Sequence, residues 1–252
     1  MSNPNSPQNP QVSKNGGFIS LIEGLIGVYI EQRPDIIDCI LPCDFKPNQY
    51  KIYPLTNGQK EEQEVLICNE KNGCIIRNIF PLPCRPLELD IEKDGNVVMT
   101  FTKSCTLTCY CIMRPKIEVR NKENGRNQLL GYIIDKFDFC GFNQTFEIYN
   151  QNDSLIHTIK GNCCQIGLLC NCPCAWCEKF EFDLNDLNGS PIGKIQKLGT
   201  GSCFDNCCST ADHFSIPFPG NANWQTKALL IAAGLWIDFS MFERKINRGK
   251  ST

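Results

Sequence analysis

The sequence carries no block of like charge. Its 25 basic and 27 acidic residues are spread over 252 positions, with a formal net charge of −2. A polycationic nucleic-acid binder and an acidic tail are both disfavoured, so no nucleic-acid partner is expected. Histidine is scarce, at 2 residues. His157 and His213 stand apart in strand-like segments and read as ordinary surface or core side chains. An export signal is also missing. Met1 to Gly17 is rich in Asn, Pro and Ser with one basic residue, Lys14, and the apolar stretch Phe18 to Ile30 contains Glu23. With no cationic start and no small-residue cleavage site, the expectation is a chain that is not secreted. Its thiols should then stay mostly reduced. No nucleophile–base pair, phosphate loop or carboxylate dyad stands in a supporting context, so covalent catalysis is not expected.

Against these absences stand 18 cysteines. Disulfide stapling fits poorly with a chain long enough to build its own core. Zinc wants paired Cys-x-x-Cys units, or Cys pairs with His pairs. Only Cys174-Ala175-Trp176-Cys177 has that spacing, after the run Cys170, Cys172, Cys174; Cys203, Cys207 and Cys208 form a second, irregular group. Structural zinc is disfavoured on spacing. A redox role for Cys174 and Cys177 needs a strand–helix context, and the flanks read as a loop followed by a strand. A third use of reduced cysteine is thioester lipidation at a membrane surface. Cys105, Cys109 and Cys111 suit it, although buried free cysteine is also common.

Five Asn-Gly or Asp-Gly pairs punctuate the chain: 57–58, 72–73, 94–95, 124–125 and 188–189. Such pairs mark hairpins because both turn positions need positive φ. Between them, apolar and polar residues alternate. Leu87, Leu89 and Ile91 interleave with Glu88, Asp90 and Glu92, and Phe180, Phe182 and Leu184 with Glu181, Asp183 and Asn185. That period marks strands buried on one face. The pattern predicts about twelve strands, near 27–31, 49–54, 64–68, 74–79, 87–92, 96–103, 115–121, 129–136, 144–150, 155–160, 178–185 and 191–197, with 213–218 as a candidate extra. A sheet of that size closes into a barrel or splits into a sandwich.

One segment has no alternation. Ala228 to Ile237 is apolar throughout and runs on through Asp238 to Phe242. A helix that is apolar all round must be buried in protein or in lipid. About 15 residues separate Lys227 from Glu243, against the roughly 20 a span needs. A central Asp costs a further ~2.5–3.5 kcal/mol. Arg244, Lys245, Arg248 and Lys250 would hold the C-terminus on the cytosolic side, leaving the cysteine-rich part outside. A helix enclosed by a barrel removes the conflict.

The stretch from Lys227 through Leu229, Leu230, Ile231, Leu235, Trp236, Ile237, Asp238 and Phe239 to Glu243 resembles the C-terminal signature of the phospholipid scramblase family. Ala211-Asp212-His213-Phe214-Ser215-Ile216-Pro217-Phe218-Pro219 and Pro191-Ile192-Gly193-Lys194-Ile195 resemble two further family stretches. The cysteines around 105–111 and 163–177 lie where the family has cysteine-rich segments. The resemblance covers about Phe18 to Glu243. It implies a mostly β fold, a twelve-stranded antiparallel closed barrel around the hydrophobic C-terminal helix, as in the tubby domain. The division that follows is an arm at 1–17, a barrel domain at 18–243 with the helix at 227–242, and a basic tail at 244–252.

The resemblance further implies membrane association and ATP-independent, calcium-stimulated movement of phospholipids between leaflets. The family's calcium segment maps onto Thr210, Asp212 and Asn221, where one carboxylate remains. Calcium takes six to eight oxygens, so this set would bind weakly. Its cysteine-rich palmitoylation segment maps onto Cys105, Cys109 and Cys111. Its import segment maps onto 193–201, where only Lys194 and Lys197 are basic. The arm carries Pro4, Pro7 and Pro10 at polyproline spacing, which suits a proline-motif-binding partner, beside the plainer reading of a disordered tail. Two hypotheses follow. One is a phospholipid scramblase at the plasma membrane or another cellular membrane, its barrel facing the cytosol, acting as a homo-oligomer or by inserting the helix and distorting the bilayer around Asp238. The other is a palmitoylated, tubby-like adaptor without scrambling activity.

Overall fold

Period-two alternation builds the wall of the molecule. The computed structural model describes residues 16–33, 47–73, 85–105, 114–137, 144–161, 180–198 and 213–242. A short helix, α1 (Phe18–Gly24), precedes thirteen strands: β1 (Gly27–Gln32), β2 (Gln49–Thr56), β3 (Gln59–Lys60), β4 (Leu66–Glu70), β5 (Leu87–Lys93), β6 (Asn96–Lys103), β7 (Lys116–Asn121), β8 (Gln128–Phe137), β9 (Gln144–Asn150), β10 (Leu155–Gly161), β11 (Phe180–Asn185), β12 (Pro191–Leu198) and β13 (His213–Pro217). Helix α2 (Trp224–Ile237) follows and widens into a π-helical turn at Asp238–Phe242.

Twelve of the strands close into an antiparallel barrel. From β4 to β13 each strand pairs with the next in sequence, and β2 pairs with β4. Strand β1 shuts the ring, pairing with β13 from Gly27↔Pro217 to Glu31↔His213 and with β2 from Val28↔Pro54 to Gln32↔Tyr50. The segment 213–218, a candidate extra in the pattern, is thus an essential stave. Strand β3 stays off the ring and pairs only with the end of β2. The candidate strand at 74–79 lies outside the described residues. Closure removes the open edges that a sheet of this size would otherwise expose.

The turn chemistry follows the sequence. Asn57-Gly58 and Asp94-Gly95 both take positive φ, joining β2 to β3 and β5 to β6. Asn124-Gly125, between β7 and β8, takes positive φ at both residues as well, and Asp153 supplies a further left-handed position between β9 and β10, which no Gly pair announced. These short turns gather at one end of the barrel. The other end receives the six longer connections: β1–β2, β4–β5, β6–β7, β8–β9, β10–β11 and β12–β13. Cys68 and Cys105 are the only cysteines among the described residues; the other 16 belong to those connections.

Helix α2 fills the barrel. Lys227 to Ile237 is buried at every position. The helix packs against β7, β8, β9, β13 and α1. It begins at Trp224, a turn before the apolar run, because the Asn223 side chain accepts from the Thr226 N–H. Helix α1 was hidden in the apolar stretch from Phe18; its Phe18, Leu21 and Ile22 join the same core.

Two glycines stand at close approaches, Gly234 between helix and wall and Gly131 between neighbouring strands. A Cβ on Gly234 would meet Ile216 Cδ1 at 2.3 Å, and one on Gly131 would meet the Tyr149 carbonyl oxygen at 2.1 Å. The first clash is with a flexible side-chain end, the second with backbone. Gly131→Ala should therefore lower stability by about 1–3 kcal/mol. Thermal unfolding should show the midpoint falling by roughly 3–10 °C; an unchanged midpoint would refute the close-approach argument.

Candidate functional site

The inward positions of a strand sit two residues apart, so a charge on that parity lands in the core. Strand β4 presents Leu66, Cys68 and Glu70 inward, and β6 presents Met99, Phe101 and Lys103. Arg85 leads into β5 and is also buried. The C-terminal turn of α2 adds Asp238. Four formal charges, two of each sign, are therefore buried at the end of the barrel that receives the long connections.

Their partners are specific. Tyr50 on β2 donates its hydroxyl to Asp238 Oδ2 at 2.6 Å. The Tyr50 and Phe239 rings lie 5.9 Å apart. Arg85 sits 6.0 Å over the Phe239 ring and donates to Glu70 Oε1 at 3.2 Å. Glu70 Oε2 accepts from the backbone N–H and side-chain amide of Asn48. Lys103 donates to the Arg85 carbonyl at 2.5 Å and lies 6.0 Å over the Trp236 ring. The two cations also stand near the last turn of α2, where a helix dipole favours positive charge. A buried ionic cluster of this kind is costly to break, because one partner left alone stays desolvated.

The other end of α2 is held as firmly. Lys227 donates to the carbonyls of Glu23 and Leu25, both at 2.8 Å, satisfying the open end of α1. Burial pushes its ammonium pKa down, with the Glu23 charge opposing. Leu229, Leu230, Ile231, Leu235, Trp236, Ile237 and Phe239 lie in the core between these two anchors. No helix among the described residues is long and apolar enough to cross a membrane.

The scramblase model matches residues 5–244, which takes in the whole barrel and its helix. The chain belongs to the scramblase family. It is 29% identical to phospholipid scramblase 1 of Rattus norvegicus over 189 residues, covering 73% of this chain and 52% of the rat protein. Against phospholipid scramblase 2 of Bos taurus it is 27% identical over 230 residues, or 90% of this chain and 70% of the bovine one. Phospholipid scramblase 1 of Homo sapiens is 29% identical over 185 residues, which is 54% of its length. The chain thus spans about half the length of the rat and human relatives. No solved structure matches it.

On this scramblase barrel the sites carried over from sequence fall as follows. Cys105 is exposed just past the end of β6; Cys109 and Cys111 lie outside the described residues. Asn221 sits in the exposed turn between β13 and α2. Thr210 and Asp212 lie outside the described residues, and β13 stands between them and Asn221. Among the described residues no group of three or more His, Cys, Asp or Glu is placed to hold a metal. Lys194 pairs with Glu181 at 2.8 Å, and Lys197 lies 5.7 Å over the Phe180 ring. His157 is half-buried, and burial lowers its pKa. The ionic cluster at Asp238 was missed because the alternation was read for apolar residues only. A charge on the inward parity at Glu70 or Lys103 was the signal available.

Two outcomes test this geometry. Tyr50→Phe removes a buried donor and should cost about 1–3 kcal/mol in denaturant unfolding. Tyr149→Phe, whose hydroxyl meets Glu147 nearer the surface, should cost less than about 0.5 kcal/mol. Equal effects would sink the argument. Cys68 is fully buried, and burial, with Glu70 adding, pushes its thiol well above the usual range. In the folded protein, alkylation followed by peptide mass mapping should modify Cys105 on the order of 100-fold faster than Cys68, which must await opening of the barrel.

Proposed function

We propose that this chain moves phospholipids between membrane leaflets, in both directions and without ATP. The supporting observation is that the family match covers barrel and enclosed helix together, with relatives named phospholipid scramblases on most of the same residues. Helix α2 occupies the barrel interior, so on this reading headgroups travel along the outer wall. A headgroup in hydrocarbon needs polar company or a thinned bilayer. Two or more copies side by side, or one that distorts the lipid around it, supply that.

Attachment comes from acyl chains. Cys105 is exposed at the end of the barrel where Cys109 and Cys111 follow in sequence. One chain contributes about 0.8 kcal/mol per buried CH₂ and anchors reversibly; two or three palmitates hold a near-neutral domain in place. The barrel then sits on the cytosolic face of the plasma membrane or another cellular membrane. Calcium stimulation involves Thr210, Asp212 and Asn221, and is weak because one carboxylate serves it.

Reconstitution into vesicles carrying a fluorescent phospholipid in one leaflet tests the proposal. The chain should speed equilibration several-fold over empty vesicles without nucleotide, and calcium should raise the rate further. No gain, with the protein verified on the membrane, sinks the scrambling reading and leaves a membrane-bound adaptor. In cells, replacing Cys105, Cys109 and Cys111 by Ser should release the chain to the soluble fraction. Retention after carbonate washing would place the anchor elsewhere.

A further inference from the structure

The outer wall carries a feature that the acyl anchor does not use, built on a half-buried Tyr29 and on Tyr53, which is 8% exposed beneath its neighbours. Tyr29 on β1 and Tyr53 on β2 face each other directly across the strand pair. His213 on β13 stacks on Tyr29, with ring centroids 5.8 Å apart. Lys60 reaches over this surface from β3. Its ammonium lies 3.9 Å from the Tyr53 ring centroid and 5.2 Å from that of Tyr29. The same ammonium pairs with Glu31. One cation thus meets two aromatic faces and a carboxylate.

That combination is the chemistry that recognises ammonium ions. Aromatic faces attract a cation by their quadrupole, and quaternary ammonium recognition is the main functional use of such cages. The chain fills this one with its own lysine, which suits the task least well. A lysine ammonium is compact and strongly hydrated, so leaving water for an aromatic face costs it more than it costs a methylated cation. Lys60 is also lightly tethered. Strand β3 holds to β2 through two residue pairs, Leu55↔Lys60 and Thr56↔Gln59, after the Asn57-Gly58 turn. The Lys60 and Glu31 side chains are 34% and 30% exposed, so solvent reaches the pair.

A second aromatic pair on the wall lacks this arrangement. Tyr132 and Tyr149 stack nearly parallel, 4.9 Å apart at 14°. Each ring covers a face of the other, and Lys116 meets only Tyr132. The stack supports a cation on one side and does not enclose it.

We propose that Tyr29, Tyr53 and Glu31 form a binding niche for the quaternary ammonium of a choline headgroup, with Lys60 as a built-in competitor. The proposal rests on the reading of this chain as a phospholipid mover and names the headgroup it selects. An incoming trimethylammonium displaces the lysine, takes its place against the two rings and keeps Glu31 as counter-charge. No bond is made or broken. Headgroup choice and the position of β3 are then linked.

Titration of the full-length protein with phosphocholine, followed by calorimetry, tests the niche. Phosphocholine should bind more tightly than phosphoethanolamine, and inorganic phosphate should not compete. Lys60→Ala should tighten phosphocholine binding several-fold, because the site no longer has an occupant. Tyr53→Leu should weaken it roughly 3- to 30-fold, the range for one cation–π contact. Circular dichroism confirms that each variant is folded; should Tyr53→Leu fail to fold, Tyr29→Leu or Glu31→Gln carries the same expectation. No binding by the native chain or by Lys60→Ala overturns the proposal, as does effective competition by phosphate. Flotation with vesicles of phosphatidylcholine or phosphatidylglycerol separates the sources of the ligand. Lys60→Ala should favour the choline vesicles; equal recovery with both overturns the lipid assignment. Flip rates separate this niche from the wider reading. A chain that moves every headgroup equally, unaffected by Tyr53→Leu, overturns the niche and leaves scrambling in place.

Discussion

A helix with no polar face can be buried only by a surface that surrounds it. That constraint organises the molecule. From Lys227 to Ile237 every position of α2 is buried, so an open sheet would leave one side of it wet. Twelve strands closed by β1 supply the enclosure. The apolar burial stabilises the helix, and the helix in turn fills an interior that a ring of twelve strands would otherwise leave void. Neither part has a workable structure without the other. Gly234 marks where helix and wall come too close for a side chain, and Gly131 where two neighbouring staves do.

Polar groups at both ends of the helix fix its register in the barrel. Lys227 caps the carbonyl end of α1, while Asp238 takes the Tyr50 hydroxyl beside the Glu70–Arg85–Lys103 cluster. Sliding the helix by one turn, about 5.4 Å, would separate both sets of partners at once and strand desolvated charge. The interior is consequently a packed core with a defined helix position. Any work on lipid falls to the outer wall and the barrel ends, which directs attention to Cys105 at one end and to Tyr29, Tyr53 and Lys60 on the wall.

Much of this architecture was legible in the sequence because it depends on periodicity. Leu87, Leu89 and Ile91 alternate cleanly and form β5; the uninterrupted apolar run from Ala228 forms the enclosed helix. Asn57-Gly58 and Asp94-Gly95 form the hairpin turns their chemistry demands. What escaped depends on partners distant in sequence. Strand β13, which the pattern offered as a candidate extra, is five residues long and gains its essential place by pairing with β1, nearly 200 residues earlier. Helix α1 is seven residues with no side-chain cap, too short to be marked by its own propensity. The Tyr50–Asp238 bond spans 188 residues. The aromatic niche needs β1, β2, β3 and β13 together, and no local pattern announces it. Where cysteine is concerned, spacing argued against zinc, and 16 of the 18 fall in sequence between the strands, outside the described residues.

The placement of Cys105 and of the aromatic niche constrains how the barrel can meet a bilayer. Cys105 follows the end of β6, while Tyr29 and Tyr53 stand on β1 and β2, three to four staves away around a ring of twelve. At about 4.8 Å per stave, that is roughly 15–20 Å of wall, a quarter to a third of the circumference. Acyl chains on 105, 109 and 111 would enter the membrane from one connection only. A single tether of that kind limits distance and leaves tilt free. A net charge of −2 gives the chain as a whole little long-range electrostatic pull toward a membrane. Contact between the wall and the headgroups is therefore decided by short-range complementarity. An outward niche that already holds an ammonium between two tyrosines is the kind of feature that can set that contact, because a choline surface offers the same cation at high density and with less hydration to lose.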